Sequence, residues 1–351
     1  MLTVLSFLGV LVVVILAHEI GHFVTAKLSG VRVEEFGLFY PPRLFSVMRG
    51  GTRYSFNALP LGGFVKMAGE EDPSAPGSLA SKSIPTRLLV LGSGSLMNLL
   101  LPGLLLTIAF MIPHDEVVGE VAVVEVAPNS PAETVGIVPG DVLVSIDGQA
   151  INNIGDLQRG LYVNLGGRVD ILVRHEDASE DVFRLSPRWQ PPEGEGATGA
   201  TVTHSGATMV RRHYSLWEAI PRAGRRGVEI LLLFKNGIVG MVSGALPVDL
   251  RGPVGIAQMA GEVAKAGIVP LLEFAALISI NLGLINLFPI PALDGGRVAF
   301  VLLEFFRRGK RISPRKEWII HAVGFALLIT FLVVVTFRDI ARITGGGDII
   351  P

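Results

Sequence analysis

The sequence predicts a polytopic α-helical membrane protein with four transmembrane helices, a membrane-associated β-hairpin region and an inserted soluble domain. The chain has 351 residues, of which 50% are hydrophobic and only 17% are charged. A soluble chain would carry about 25% charged residues. Four stretches are apolar over the length of about 20 residues that a membrane-spanning helix needs. The formal net charge of -1 gives no indication of nucleic acid as a partner.

Four segments account for the predicted transmembrane helices. The first, residues 1–29, lacks the basic start and the small-residue cleavage site of a secretory signal, so we expect it to be retained. The second is residues 88–113, the third is residues 268–296, and the fourth is residues 318–338. The third ends in a proline-rich run, where the helix should break.

The segments between these helices differ from one another in composition. Residues 30–87 are rich in glycine and proline and contain short alternating runs, which predict a β-hairpin against the membrane face. Residues 115–188 hold four alternating runs separated by turn signals, which predict a soluble domain. Residues 189–267 are interpreted as a linker followed by interfacial amphipathic helices. A basic loop, residues 297–317, and a C-terminal tail, residues 339–351, complete the chain.

One further apolar stretch, residues 228–246, raises the alternative of a fifth transmembrane helix. Lysine and arginine concentrate in residues 30–87 and 297–317, and loops with such an excess stay in the cytoplasm. Four transmembrane helices place both loops on one side, whereas a fifth would place them on opposite sides. We therefore expect an interfacial helix here, cytoplasmic basic loops and an extracytoplasmic soluble domain.

The run His18-Glu19-Ile20-Gly21-His22 lies inside the first apolar segment. Ionisable groups are costly in a membrane helix, and those that are kept there usually serve a function. Histidines four residues apart share one helix face and can bind one tetrahedral metal ion, and the chain has no cysteine as an alternative ligand. The pattern predicts zinc ligands at His18 and His22, with Glu19 as the catalytic base.

Asp294 is the candidate for the third protein ligand that catalytic zinc sites have. An aspartate before two glycines can equally be a turn or cap residue. Depth in the membrane favours the ligand, because His18 lies about 24 Å along the first helix, toward the basic loops. Asp294 also lies at the basic-loop end of its span. Pro289 and Pro291 allow irregular backbone there, which is tolerated where it lines a cavity.

These motifs resemble those of the site-2 protease family of intramembrane zinc metalloproteases. The matching segments are His18 to His22, residues 286–295 with the form N-x-x-P-x-P-x-L-D-G, residues 62–70 and residues 252–256. The resemblance covers nearly the whole chain, and it implies that the three ligands and the base are those already named.

The resemblance also implies how substrate is held. Asn286 is expected to contact the substrate backbone, and the hairpin is expected to pair with an unwound substrate strand. The hairpin residues concerned are Gly62, Gly63, Phe64, Val65 and Lys66.

Residues 115–188 resemble a PDZ domain through the runs 128–132, 136–143 and 146–148. PDZ domains bind a peptide as an added strand and capture its C-terminal carboxylate on backbone N–H groups. The resemblance thus implies a peptide C-terminus as a partner, and the alternative is a domain that only gates access to the membrane site. The expected peptide-binding loop is Val118, Gly119, Glu120 and Val121.

The sequence therefore predicts a zinc-dependent endopeptidase that cleaves transmembrane segments of single-span membrane proteins within the lipid bilayer. It resembles the bacterial branch of regulated intramembrane proteolysis that releases anti-sigma factors and clears signal-peptide remnants. That branch implies the inner membrane and an active site toward the cytoplasm. The alternatives are a membrane-tethered PDZ adaptor with a non-catalytic metal site and a transporter. The adaptor would need a broken ligand set and the transporter internal repeats, and the sequence shows neither.

Other polar residues are assigned to packing. Asn98 and the small residues 92–95 favour close helix packing over substrate contact, and Asn281 is interpreted as a hydrogen-bonding residue between helices. The remaining histidines have no partner at metal-binding spacing and are interpreted as ordinary loop or interface residues: His114, His175, His204, His213 and His321.

Overall fold

The chain divides into two compact units. The computed structural model describes residues 1–70, 72–246 and 251–345. One unit is made of residues 1–109 and 250–351, and the other of residues 110–249. The part of the predicted C-terminal tail beyond residue 345 lies outside the described residues.

Helices and strands alternate in blocks along the described chain. The helices are α1 (Leu2–Leu28), α2 (Ile84–Met111), α3 (Pro131–Val135), α4 (Ile154–Val163), α5 (Leu216–Val242), α6 (Pro253–Lys265), α7 (Ile268–Leu287), α8 (Asp294–Phe306) and α9 (Pro314–Thr344). The strands are β1 (Val33–Arg49), β2 (Thr52–Met67), β3 (His114–Val126), β4 (Val142–Ile146), β5 (Gln149–Ala150), β6 (Val169–Arg174), β7 (Glu180–Leu185) and β8 (Ala200–Arg212).

Four of the described helices have the length and the apolar composition to cross a membrane: α1, α2, α7 and α9. These are the four predicted transmembrane helices, which are confirmed by length and composition. Helix α5 contains most of the ambiguous stretch and does not meet the same criteria within the described chain. By length and composition, the described residues thus contain four candidate transmembrane helices, the number predicted.

Helix α6 contacts both α1 and α9, the first and the last of these four helices. A Cβ atom at Gly261 would lie 2.4 Å from Thr3 Oγ1, so α6 packs closely on the start of α1. At its own start, the Gly255 N–H donates to Asp339 Oδ2 on α9 at 2.7 Å. The first N–H groups of a helix have no partner within it, and the buried carboxylate supplies one.

Strands β1 and β2 pair to form one sheet. Both strands are bent, so that each contributes two segments to it. Residues 35–38 of β1 pair with residues 53–56 of β2 and also with residues 63–66. The second half of β1 pairs with the first half of β2 near the hairpin turn. The predicted hairpin is therefore a sheet of four short segments, and residues 63–66 form one of its outer edges within the described chain.

The second unit is a six-stranded antiparallel sheet in the order β7-β6-β4-β3-β8, with β5 paired to β4. Its core is formed by side chains such as Val121, Ile171 and Leu161, which the alternation of each strand or the face of α4 directs inward. Strand β8 pairs with β3, so the sheet extends past the predicted domain end at residue 188. Ala200 and Val202 pack against the core, but most residues of β8 are exposed, so its apolar alternation is too short to mark a strand in the sequence.

The predicted peptide loop is part of strand β3: Val118, Gly119, Glu120 and Val121. Val118 pairs with Thr208 of β8. On the other side of the strand, Val121 pairs with Leu143, and the Gly119 N–H donates to the Asn152 carbonyl oxygen at 2.9 Å. Three of the four, all but Val121, line a cavity of about 460 Å³. The segment is thus a paired strand and not a loop, and peptide binding at it stays a prediction.

Helix α5, which belongs to the second unit, contacts the end of α4 through a buried polar side chain. Asn236 Nδ2 donates to the carbonyl oxygens of Tyr162 and Val163 at 2.9 and 2.7 Å, at the end of α4. Trp217 is 80% exposed and Val242 84% exposed, so the helix carries an uncovered apolar face. An uncovered apolar face is typical of an interfacial helix, and this assignment stays a prediction.

His175 forms a charged cluster with two carboxylates in the second unit. Its Nδ1 lies 2.6 Å from Asp141 Oδ1, and its Nε2 lies 3.4 Å from Asp181 Oδ2. The hydrogen bond with Asp141 raises the pKa of His175 above its ordinary value of 6.5.

We expect the variant His175→Gln to lose more stability at acidic than at alkaline pH. A raised pKa in the folded state stabilises fully below the unfolded pKa of about 6.5, and this contribution disappears as pH rises through the folded value. Thermal unfolding of the purified wild type and variant, followed by tryptophan fluorescence at about pH 5.5 and about pH 9, measures the difference. Equal losses at both pH values would contradict it.

Candidate metal centre

Helix α1 presents His18 and His22 on one face. The two rings meet edge to face with their centroids 4.8 Å apart, and both side chains are buried. Glu19 is also buried, and its position along the helix rotates it by about 100° from His18. The helix therefore offers two ring nitrogens to one point and a carboxylate beside it.

A break between α7 and α8 delivers Asp294 to the same point. Phe288 takes an extended conformation because it precedes Pro289, and α7 ends there. Asp294 is the first residue of α8, where a carboxylate is favoured by the helix dipole. A Cβ atom at Gly295 would lie 2.1 Å from the Phe288 carbonyl oxygen, so the loop requires glycine directly after the aspartate.

One oxygen of Asp294 meets both imidazoles. Asp294 Oδ2 lies 3.0 Å from His18 Nε2 and 3.1 Å from His22 Nε2, and the two Nε2 atoms are 3.2 Å apart. Ligand atoms on tetrahedral zinc, with bonds of about 2.0 Å, lie about 3.3 Å from one another. The three atoms therefore have nearly the spacing of one face of a zinc tetrahedron.

The hydrogen bond on the far side of His22 fixes the proton of its ring. Nδ1 donates to the Val90 carbonyl oxygen at 2.8 Å, so the neutral ring presents the lone pair of Nε2 to Asp294. Two electron pairs that face each other across 3.1 Å repel unless a proton or a cation lies between them. Together with the ligand set of two nitrogens and one oxygen, this arrangement fits a zinc ion.

Asn98 on α2 is fully buried beside the other histidine. Its Nδ2 lies 3.4 Å from His18 Nδ1, and its Oδ1 has no hydrogen-bond partner among the described residues. When Nε2 of His18 binds a metal, Nδ1 carries the ring proton and needs an acceptor. Rotation of the amide by half a turn presents Oδ1 to that proton. Asn98, assigned to packing from the sequence, is therefore a hydrogen-bond partner of a candidate ligand.

We expect the variant Asn98→Leu to bind zinc about 10- to 100-fold more weakly than wild type, because loss of a ligand's hydrogen-bond partner typically costs that much. Competition with a chromogenic chelator measures the affinity. The variant Asn98→Asp keeps an acceptor at the same place and should remain closer to wild type. Wild-type affinity in Asn98→Leu would show that the amide does not orient His18.

Gly94 brings the backbone of α2 against the two imidazoles. A Cβ atom there would lie 2.2 Å from His22 Nε2 and 2.8 Å from His18 Cε1. A Cβ atom at Gly21 would lie 2.4 Å from the Ser93 carbonyl oxygen, so α1 and α2 meet backbone to backbone. The helix main chain thus forms one wall of the metal centre.

The edge of the β1–β2 sheet lies against Glu19. A Cβ atom at Gly63 would lie 2.7 Å from Glu19 Cγ and 2.9 Å from Ile15 Cγ2. The absence of a side chain therefore lets the strand edge lie directly on the stem of the glutamate. Gly63 is thus a predicted substrate-binding residue that lies beside Glu19.

Phe64, Val65 and Lys66 belong to the same edge, and Gly62 precedes it. Val65 packs on a buried cluster of the first unit, and Lys66 forms an ion pair with Glu34 at 3.0 Å. Asn286 is half-buried in the last turn of α7, before the break that leads to Asp294. Their contact with a substrate stays a prediction.

Tyr40 is a neighbour of the centre that sequence patterns do not single out. Its ring stacks on Phe64 with centroids 6.0 Å apart, and a Cβ atom at Gly62 would lie 2.7 Å from its Cε2. Partial burial raises the pKa of the Tyr40 phenol, and the negative charge of Glu19 raises it further, whereas the positive charge of Arg297 opposes the shift. The phenol therefore stays protonated near the candidate catalytic groups. No signal marks it in the sequence, where it lies beside two prolines.

Arg297 connects the ligand-bearing helix to the hairpin. It donates to Glu70 Oε2 at 2.7 Å, and the other carboxylate oxygen of Glu70 accepts from the Met67 N–H at 3.1 Å. The ion pair joins the first turn of α8 to the end of β2. The candidate ligand Asp294 and the strand edge are thereby held in one framework.

Comparison with known proteins agrees with this geometry. Residues 6–331 match the model of peptidase family M50. The chain belongs to peptidase family M50, the site-2 proteases. A predicted zinc metalloprotease of Clostridium perfringens is 38% identical over 337 residues, which cover 93% of this chain and 95% of the relative. Zinc metalloprotease RasP of Shouchella clausii is 28% identical over 426 residues, which cover 97% of this chain and 99% of the relative.

Membership of family M50 makes this protein a zinc metalloprotease, a hydrolase with Zn²⁺ as its cofactor. With four helices fit to cross a bilayer, it is an integral membrane protein. The predicted family, enzyme class and cofactor are thus confirmed. The PDZ likeness of the second unit stays a prediction.

Proposed function

We propose that this M50 protease is an intramembrane endopeptidase that cleaves transmembrane segments of single-span membrane proteins. One observation carries the proposal: His18, Glu19 and His22 lie within α1, a helix of 27 residues with the composition of a membrane span. A hydrolytic site within such a helix is within reach of peptide bonds that lie in lipid.

The residues of the centre divide the chemistry among them. His18, His22 and Asp294 would hold the zinc ion, which when bound supplies the Lewis acidity that activates water and polarises the scissile carbonyl. Glu19 takes the proton of the attacking water and returns it to the leaving amine. The Val90 carbonyl and Asn98 keep both imidazoles oriented.

A helical substrate must unwind before it can be cut. Its carbonyl groups are engaged in the hydrogen bonds of the helix, and an unwound segment in lipid needs new partners for its backbone. The outer edge formed by residues 63–66 offers such partners to an added strand. The contact between Gly63 and the stem of Glu19 supports this assignment, because a strand on that edge would pass beside the catalytic glutamate.

We infer the orientation from charge. The basic segments between the membrane helices, residues 30–87 and 297–317, support an orientation with the metal centre toward the cytoplasm and the second unit on the extracytoplasmic side. The relatives are bacterial proteins, which supports the inner membrane as the location. Anti-sigma factors and signal-peptide remnants are then the proposed substrates. The second unit would bind a peptide C-terminus or gate access.

The position of the cut tests the proposal. Purified protein is reconstituted with zinc in lipid vesicles together with a single-span model substrate, and mass spectrometry locates the new termini. A cut inside the apolar segment that disappears with a zinc chelator supports intramembrane cleavage. Cuts only in the water-exposed flanks of the substrate would refute it, while leaving the protein a zinc protease.

A further inference from the structure

The loop that precedes Asp294, residues 288–293, is in close contact with two helices, α8 and α9. On one side is the start of α8, where a Cβ atom at Gly296 would lie 2.5 Å from the Ile290 carbonyl oxygen. On the other is α9, where a Cβ atom at Gly324 would lie 2.4 Å from Pro291 Cβ and 2.7 Å from its carbonyl oxygen. The loop therefore has little freedom to move without moving one of these helices.

A single hydrogen bond adds to the contact with α9. The Ala292 N–H donates to His321 Nδ1 at 3.0 Å. His321 and Gly324 lie three residues apart and share one face of α9, so the histidine and the glycine contact the same loop. The ring of Phe300 on α8 lies against the imidazole, with centroids 5.4 Å apart.

Ala292 is held in an unfavourable backbone conformation. Its φ angle is 80°, in the left-handed region that residues with a side chain rarely adopt. Such a conformation persists only where the surroundings enforce it. The φ torsion turns about the bond from N to Cα, so an acceptor on the N–H directly restrains it. Two residues later the chain reaches Asp294, and the loop conformation thus sets where the carboxylate lies.

We propose that His321 is a positioning residue for the metal centre. By accepting the Ala292 N–H, it fixes the loop that places Asp294 against His18 and His22. The inference rests on the proposed role of Asp294 as a zinc ligand. His321 itself does not touch the reacting atoms, and its effect is transmitted through the backbone of the loop.

Four variants of the whole chain test the hydrogen-bond acceptor of His321 and the contact of Gly324 with the loop, and one of the four is a control. His321→Phe keeps a ring of similar shape and removes the acceptor, and His321→Asn keeps an acceptor close to the position of Nδ1. Gly324→Ala pushes on Pro291 from the same helix face. Phe325→Ala is the control, because that side chain is 54% exposed. Each protein is assayed for zinc affinity by chelator competition and, after cobalt substitution, for its visible absorption spectrum.

We expect His321→Phe and Gly324→Ala to bind zinc at least about tenfold more weakly and to shift the cobalt bands. His321→Asn and Phe325→Ala should retain both properties. A His321→Phe protein that melts earlier but keeps wild-type affinity and spectrum would overturn the inference, since the residue would then be merely structural. If His321→Phe cannot be purified, an unchanged Gly324→Ala protein would overturn it equally.

The variant Asp294→Ala separates this inference from the proposed metal site. Loss of zinc in Asp294→Ala with wild-type affinity in His321→Phe overturns only the positioning role. Wild-type zinc affinity in Asp294→Ala overturns the ligand assignment, and the inference about His321 fails with it. Loss in both, with retention in His321→Asn, supports both.

Discussion

Replacement of Glu19 by glutamine should leave zinc bound while cleavage falls by at least about 1,000-fold. Glutamine has the shape of glutamate and preserves the contact with Gly63, but it cannot take a proton from water. His18, His22 and Asp294 are unchanged, so the candidate ligand set stays complete. Metal analysis of the purified variant and turnover of a single-span substrate in vesicles measure the two effects separately.

A matched control for this variant lies on α6. Glu262 pairs at the surface with Lys265 at 2.9 Å, so Glu262→Gln makes the same chemical change in the same unit away from the centre. It should keep both zinc and turnover. Turnover of Glu19→Gln within tenfold of wild type would mean that another group serves as the base, and the mechanism proposed here would be wrong.

The second large effect is expected from one methyl group on α2. The variant Gly94→Ala should lose zinc affinity by more than about 100-fold, and turnover should fall with it, because metal ligation tolerates displacements of only about 0.2 Å. The new Cβ would lie 2.2 Å from His22 Nε2, the candidate ligand atom itself. Alanine forms helices better than glycine, so a loss cannot be attributed to a weaker helix.

Gly92 provides the control for Gly94. It lies on the same helix, and nothing lies within 4 Å of a Cβ atom placed there. The variant Gly92→Ala should therefore bind zinc and cleave substrate like wild type. Zinc affinity in Gly94→Ala equal to that in Gly92→Ala would mean that α2 does not form this wall of the centre.

Local patterns were sufficient to predict the membrane helices and three residues of the centre. A transmembrane helix is a continuous apolar run, which can be recognised without knowledge of its neighbours. His18 and His22 share a face by helix geometry alone, and the intervening Glu19 follows from the same spacing. Asp294 needed an additional argument from depth in the membrane. Its meeting with the two histidines agrees with that argument.

The remaining residues depend on contacts that no local pattern encodes. Asn98 and Gly94 reach the centre through the packing register of α1 on α2, which small residues permit but do not specify. His321 reaches the loop from a helix that starts more than twenty positions later. Strand β8 shows apolar alternation only over its first residues because it is otherwise exposed, and its pairing with β3 makes residues 118–121, the predicted peptide loop, part of a strand.

The two histidines of the centre differ in how easily a mutation can disturb their orientation. His22 is oriented by the carbonyl oxygen of Val90, an atom that every amino acid carries, so no missense change at that codon deletes it. His18 faces the amide of Asn98, an atom group that most substitutions remove. A single substitution, at Asn98, can therefore change the orientation of His18. The orientation of His22 changes only when the path of α2 itself changes.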